Sequence, residues 1–335
     1  MLRQAIAPLA NIAAITGQKA VTDMRNGMRT LGVMIRIVCD VTISVAAVTA
    51  IRNGGSVLAL VDAVGITENG VDKVLFNGRM AGFVGRVNSV VDTPSRTRLT
   101  STAQGVTTLD ETIFLPFGSA WQINAGDSAF VERDPRASLQ VFVNWNPAIG
   151  KLVTVGGATV AFGNPTITVE QVYDDERQQK RPLFLPYYRE QSFIVAGAGQ
   201  QPPMYLKTSR WIRGLAIQQD SDVGEVSDII TNVILRGDNR DIIAPPGASV
   251  ARLARLGEAF NNAKGSNDAG YLWLPFTHGG RLSNSISPVN DSNMRLEFTA
   301  QPTGAAGATS SIIRVGLLEL ERVGGLTADA LAFNA

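Results

Sequence analysis

Few side chains in this sequence have the types and spacing that catalysis requires. His278 is the only histidine and Cys39 the only cysteine, so a serine–histidine or cysteine–histidine nucleophile would have to use them. Cys39 stands in a run that predicts a strand facing the core, far in sequence from His278. We therefore expect no enzymatic activity, no intramolecular disulfide and no cysteine-ligated or multi-histidine metal site.

Two acidic clusters and one glycine-rich stretch were weighed as ligand sites. Residues 174–176 and 238–241 carry the oxygen ligands that calcium prefers, but neither has the spacing of a known calcium loop. Residues 196–200 lack the further glycine and the following helix of a phosphate-binding loop. We predict no catalytic residue, no cofactor and no metal.

The composition indicates a packed, electrically balanced protein. The chain has 335 residues, of which 45% are hydrophobic and 18% charged, which suits one large domain or two of ordinary size. Lys and Arg number 30 and Asp and Glu 29. Because this balance gives no general positive field, we expect no specific binding of nucleic acid.

The pattern of apolar residues along the chain predicts β-strands. Apolar residues occupy every second position from Val33 to Val45, and such alternation of β-branched residues is typical of a half-buried strand. Turn signals such as Asn69-Gly70 separate further short apolar runs. Asn77-Gly78 reads as a tight turn. The apolar spacing after it fits a helix, or a strand followed by a short helix, and helical spacing also follows Ser249. Residues 93–112 read as a long polar loop. The sequence therefore predicts an all-β protein with a few short helices.

An internal similarity suggests that this β-rich unit was duplicated. Residues 74–78 match 233–237, and residues 113–117 match 272–276, both at an offset of 159 residues. At the same offset, residues 83–84 correspond to 242–243. The period is too long for a solenoid, so we predict two similar domains in tandem.

The amino-terminal segment, residues 1–30, is predicted to be a separate arm. Apolar residues at positions 2, 6, 9 and 13 share one helical face. Such an arm lies against an anionic membrane or a partner groove, or packs as a short helix on its own domain. The candidate contact residues are its basic side chains, Arg3, Lys19, Arg25 and Arg29.

The clearest boundary in the chain is the charged run that ends at Pro182. Charges with proline are typical of an exposed linker. We therefore predict an arm at 1–30, a first domain at 31–175, a linker at 176–190 and a second domain at 191–335.

The second half carries a resemblance to a known family. A strand at residues 209–217 is followed by a turn, a strand ending in glycine within 226–237, and a helix from Ser249. This order resembles the second roll of the double jelly-roll major capsid protein of tailless icosahedral bacteriophages, of the corticovirus and tectivirus types. The resemblance covers about residues 31–323 and concerns architecture without signature residues. The first half departs from it at residues 48–71 and 93–112.

The resemblance implies two tandem jelly-roll β-sandwiches and a structural role. Three copies would form a pseudo-hexameric homotrimer, and trimers would build an icosahedral shell together with penton and minor capsid proteins. Such a shell belongs to the virion, is assembled in the host cytoplasm and usually encloses a lipid membrane, toward which the arm would point. Residues 48–71 and 93–112 would then form outward loops.

An alternative is a spike-like protein that binds a receptor or a carbohydrate through a β-sandwich. That function favours exposed aromatic residues on loops. Of the four tryptophans, Trp145, Trp211 and Trp273 fall in predicted strands, whereas Trp121 does not. The strand positions favour packing in the core over ligand binding.

Overall fold

The structure is a computed structural model, and it confirms a chain built mainly of β-strands. The contacts divide it into two compact units, the first holding the described residues up to Asp174 and the second those from Phe184 onward. The predicted helix after Ser249 lies outside the described residues, as do His278 and Trp121. The described residues are 4–25, 29–88, 96–117, 130–131, 138–174, 184–195, 197–206, 210–221, 229–238, 241–243, 270–276, 286, 293–301 and 311–322.

The first unit contains eleven described strands and one described α-helix. Short 3-10 helices lie at Asn53–Gly55, Val57–Leu60 and Ile149–Lys151. The strands are β1 (Gln4–Pro8), β2 (Lys19–Asp23), β3 (Arg29–Ser44), β4 (Ala50–Ile51), β5 (Val61–Glu68), β6 (Val71–Phe76), β7 (Gly105–Pro116), β8 (Phe130–Val131), β9 (Leu139–Trp145), β10 (Val153–Thr154) and β11 (Thr159–Asp174), with the helix α1 (Gly78–Asn88) between β6 and β7.

Most strands of the first unit form two antiparallel sheets in jelly-roll order, and β4 pairs with β10 in a separate two-stranded sheet. One sheet runs β1-β11-β3-β7, with β8 beside the start of β3, and the other contains β6-β5-β9-β2. Along the chain β1 belongs to the first sheet, β2 to the second, β3 to the first, β5 and β6 to the second, β7 to the first, β9 to the second and β11 to the first. This alternation is the arrangement expected from the sequence, and we call the unit the first roll.

The second unit repeats this order. One sheet contains β18-β15-β20-β12, and in the other β19 lies between β16 and the short strands β13 and β14, with β17 beyond β16. Its core is formed by apolar residues such as Leu215, Val315 and Phe298, all fully buried. We call it the second roll; its strands are β12 (Phe184–Val195), β13 (Gly199–Gln200), β14 (Met204–Tyr205), β15 (Trp211–Ser221), β16 (Ile230–Arg236), β17 (Asp241–Ile243), β18 (Tyr271–Pro275), β19 (Arg295–Ala300) and β20 (Ser311–Arg322).

The predicted alternation around Cys39 is confirmed. Val33, Ile35, Ile37 and Cys39 are fully buried, whereas Arg36 between them is exposed. The strand is longer than its alternating part, because β3 begins at Arg29 and pairs with β11 on one side and β7 on the other. Strand β11 continues through Pro165, with a register shift between Gly163 and Thr166.

Helix α1 confirms the helical spacing seen after residue 78. The side chain of Asn77 accepts a hydrogen bond from the Met80 amide at 2.9 Å, so it caps the helix where a tight turn was predicted. Gly82 and Gly85 let the helix approach its neighbours closely: a Cβ at Gly85 would lie 2.3 Å from the carbonyl oxygen of Phe114 in β7. The helix thus covers part of the edge of the first sheet.

The offset of 159 residues aligns only one of the three matched pairs correctly. Residues 113–117 and 272–276 lie at equivalent places, since β7 pairs with β3 and β18 pairs with β15. Residues 74–78 span the end of β6 and the start of α1. Residues 233–237 instead span the end of β16, which is the equivalent of β5. The offset of 159 residues does not hold here because the connections differ in length. Residues 45–60 separate β3 from β5, whereas only residues 222–229 separate β15 from β16.

Two further predictions on the first roll are wrong. The amino-terminal segment is not a helix between residues 4 and 23, because β1 pairs with β11 and β2 pairs with β9. The predicted polar loop at 93–112 ends at Gly105, where β7 begins. In β7 the inward position of Glu111 is polar, so the alternation of Leu109 and Ile113 was hidden.

The predicted domain boundaries stay a prediction. Within the predicted linker at 176–190, strand β12 already begins at Phe184, and its residues pair with β20.

Candidate functional site

Cys39 is placed as an inert core residue. Its side chain is fully buried, and its Sγ lies 3.5 Å from the carbonyl oxygen of Gly163. Burial raises the pKa of the Cys39 thiol to about 11. Because the thiolate is the reactive form, such a cysteine is a poor nucleophile at neutral pH.

We expect Cys39 to resist thiol reagents in the folded protein. At pH 8, three units below its pKa of about 11, only about one thiol in a thousand is ionised, and the reagent has no access. Labelling with a chromogenic disulfide reagent should be slow in native protein and rapid in urea, where the thiol is exposed. Equal labelling rates in the two states would contradict this prediction.

The predicted basic contact residues lie within the first roll where they are described. Lys19 Nζ lies 2.6 Å from Asp72 Oδ1 and 3.9 Å from the centroid of the Phe142 ring. Arg25 donates a hydrogen bond from Nη2 to the carbonyl oxygen of Pro8 at 3.1 Å. Arg29 pairs through its backbone with Asp174 and Val131, and Arg3 lies outside the described residues. The structure therefore brings Lys19 and Arg25 into contact with their own roll, and not onto one helical face.

The two acidic clusters at residues 174–176 and 238–241 are only partly described by the structure. Asp238 accepts a hydrogen bond from Asn293 at 3.0 Å, while residues 239–240 and 175–176 lie outside the description. Among the described residues, no group of three His, Cys, Asp or Glu side chains could hold a metal ion. In the same part of the chain, no helix is long and apolar enough to span a membrane.

A buried carboxylate, which sequence reasoning missed, organises one end of the first roll. Glu111 in β7 is 1% exposed, receives a hydrogen bond from Arg98 Nε at 2.6 Å and contacts the hydroxyl of Ser56. The Ser56 hydroxyl in turn accepts from the Leu58 amide. One carboxylate therefore fixes both the segment before β5 and the segment before β7.

An ion pair and a hydrogen-bonded carboxylate lie on the outer face of the sheet formed by β3, β7 and β11. Arg36 contacts Asp110 through two hydrogen bonds, and the nearby guanidinium lowers the pKa of that carboxyl. Hydrogen bonds from Thr108 and Asn164 lower the pKa of Asp40 on the same face. These carboxylates stay ionised at neutral pH, and the stability they add is lost as the pH falls through their depressed pKa values.

Three segments without charged residues meet at the end of this sheet. Here β3 ends at Ser44 beside Thr159, and Ile43 pairs with Gly105. The Val48 amide donates to Thr102 O at 3.0 Å, and the Thr49 amide donates to Thr154 O at 2.8 Å. We call this end, residues 42–51, 100–107 and 153–162, the neutral tip, because the sequence contains no Asp, Glu, Lys, Arg or His there.

The second roll carries two clusters of partly or fully buried charges on one sheet. Glu319 is fully buried, with Arg189 Nη2 at 3.0 Å and Arg210 Nη1 at 4.0 Å. Arg314 bridges Glu190 at 3.0 Å and Asp220 at 3.1 Å. These pairs offset part of the free-energy cost of burying charged groups.

Comparison with known proteins rests on structure. No protein-family model matches the chain, and no curated protein matches its sequence. The crystal structure of the STIV MCP has 12% identity and a TM-score of 0.68, over 96% of this chain and 97% of that one. The major capsid protein P2 from bacteriophage PM2 has 10% identity and a TM-score of 0.59, over 97% of this chain and all of that one. The PBCV-1 virus capsid has 11% identity and a TM-score of 0.61, over 96% and 94% of the two chains. The double jelly roll expected from the sequence is thus confirmed as the fold of this chain, shared from end to end with viral capsid proteins.

Proposed function

We propose that the protein is a major capsid protein that assembles as pseudo-hexameric trimers into the icosahedral shell of a tailless virus. The observation that most supports this proposal is the share of each chain over which the structures match. The match extends over 96–97% of this chain and 94–100% of the capsid chains compared above, so it includes both rolls. A shell subunit needs rigid, edge-protected walls, and two closed sandwiches supply them. No enzymatic activity is included in this proposal.

The finer parts of the proposal extend to the virion and its partners. The protein would assemble in the host cytoplasm, contact penton and minor capsid proteins, and surround an inner lipid membrane. Contact of Arg3, Lys19, Arg25 and Arg29 with that membrane or with a partner stays a prediction, and sedimentation of trimers with anionic liposomes tests it. The spike-like alternative is less favoured, because Trp145 and Trp273 are both 2% exposed and so present no aromatic surface to a ligand.

Assembly of the purified chain is the test of the proposed function. Light scattering after gel filtration should give three times the chain mass of 35.7 kDa, and negative-stain images should show hexagonal particles or closed shells. A protein that stays a monomer at every concentration and binds glycans would contradict the capsid function and favour the spike-like alternative.

A further inference from the structure

Val45 at the neutral tip holds an unfavourable backbone conformation without serving the core. Its φ is 71°, a region in which β-branched residues are outliers. The side chain is 76% exposed, just beyond the end of β3, where the Ala46 amide donates to Ser44 O. Strain of this kind persists only where the surrounding structure imposes it, and it often marks a functional position. The chain thus holds an apolar side chain outward at an energetic disadvantage.

Two further valines are exposed at the same tip. Val106 is 66% exposed and Val155 is 38% exposed. The pairing of Val106 with Thr42 and the hydrogen bond from Thr49 to Thr154 bring both segments beside the end of β3. Exposed apolar side chains gathered at one place indicate a surface that contacts another protein.

The lack of charged residues in the neutral tip indicates which kind of protein surface it contacts. Although 18% of the chain is charged, the three segments of the neutral tip contain no charged residue. The guanidinium of the adjacent Arg52 is already held by Thr154 Oγ1 at 3.0 Å and by the carbonyl oxygen of Gly150 at 3.1 Å. A charged partner surface would lose its hydration here without gaining an opposite charge, which is unfavourable. A second copy of this chain brings the same uncharged surface, so a contact between copies leaves no charge unpaired.

We propose that the neutral tip of the first roll is a contact surface that packs against a second copy of this chain during assembly. This inference rests on the proposed capsid function and names one surface that the function would use. The connection after β15, which corresponds in the second roll, carries Asp222, Glu225 and Asp228. The contact is therefore assigned to the first roll alone.

The test introduces single charges at the neutral tip of the full-length chain. We expect V106D and V155D to fold with wild-type thermal unfolding midpoints, because both side chains are exposed, but to weaken association at least tenfold in sedimentation equilibrium. The matched control V106T keeps the size and neutrality of the side chain and should associate within about threefold of wild type. The second control, V71D, places the same charge on a 55% exposed valine beside the β5–β6 hairpin, at the opposite end of the roll, and should leave association unchanged.

A variant of Val45 separates strain from contact. Asparagine adopts positive φ more readily than valine, so V45N should raise the unfolding midpoint by about 2–4 °C while weakening association. If wild type assembles and V106D and V155D assemble equally well, the contact is refuted and the capsid function stands. If wild type never leaves the monomer, both are refuted.

Discussion

Replacing Glu111 by alanine should destabilise the first roll by about 3 kcal/mol, because the change removes one partner of a buried, hydrogen-bonded ion pair. Glu111 is 1% exposed, and its carboxylate holds Arg98 at 2.6 Å as well as the Ser56 hydroxyl. Alanine leaves both donors without their acceptor and leaves a cavity where the side chain was. Urea unfolding followed by tryptophan fluorescence measures the loss.

The neighbouring acid supplies the control for Glu111. Asp110 forms a pair of the same kind with Arg36, but the arginine side chain is 58% exposed. An exposed pair contributes little, so D110N should cost about 0.5 kcal/mol. Equal losses in the two variants would show that burial does not decide the contribution of Glu111. E111Q should lie between E111A and wild type, since the amide oxygen can still accept a hydrogen bond.

Replacing Gly65 by alanine should prevent β5 and β6 from pairing as they do. A Cβ at this position would lie 1.7 Å from the carbonyl oxygen of Val74 and 3.0 Å from the Phe142 ring. The first clash is with backbone, so no side-chain rotation relieves it, and Gly65 pairs with both Leu75 and Phe142 in the sheet. We expect a loss above about 3 kcal/mol, measured by the urea midpoint or by the soluble yield.

Gly163 provides the matched control in the same roll. It lies at the irregularity of β11, and the nearest atom to an added Cβ, on Asp40, is 3.9 Å away. G163A should therefore change stability by less than about 0.5 kcal/mol. If G65A unfolds at the wild-type urea concentration, the close approach of the β6 backbone is not rigid, and the explanation fails.

Parts of the fold that follow from periodicity were predictable. The alternation from Val33 to Ile43 gave the position of β3 and placed Cys39 inside, because a half-buried strand must alternate. The alternation was wrong at Val45, which lies beyond the end of β3 and is exposed. Helix α1 was indicated by its apolar spacing, whereas Asn77, which caps the helix, was predicted only as part of a tight turn. These patterns are local, so they can be recognised without knowing which other segments of the chain pack against them.

Parts of the fold that depend on distant partners were not predictable in this way. Strands β1 and β2 are five residues each, and the apolar residues at positions 2, 6, 9 and 13 have a spacing that also fits a helix. Only pairing with β11 and β9 makes them extended. Short edge strands carry little propensity of their own, so tertiary contacts decide their structure.

Buried polar residues at the candidate sites also escaped detection. Glu111 occupies an inward position, and Gln171 is fully buried while it binds the Arg25 backbone and the Thr30 hydroxyl. Pattern analysis assigns charged and amide residues to the surface, because burial without partners is unfavourable. Their hydrogen-bond partners lie in other segments of the chain, so the local sequence does not indicate that these residues are buried. The neutral tip was hidden for the same reason, since three separate uncharged runs meet only in the folded chain.

Each roll is closed by its own two ends, which has a consequence for how the polypeptide acquires its shape during synthesis. Gln4 pairs with Asp174, and Phe184 pairs with Arg322. Neither sandwich can complete its sheet until its last strand has emerged from the ribosome, so the first should close while the second is still being translated. Adjacent ends also mean that one such module can be copied head to tail through a short joint without rethreading, which is the geometry a gene duplication requires.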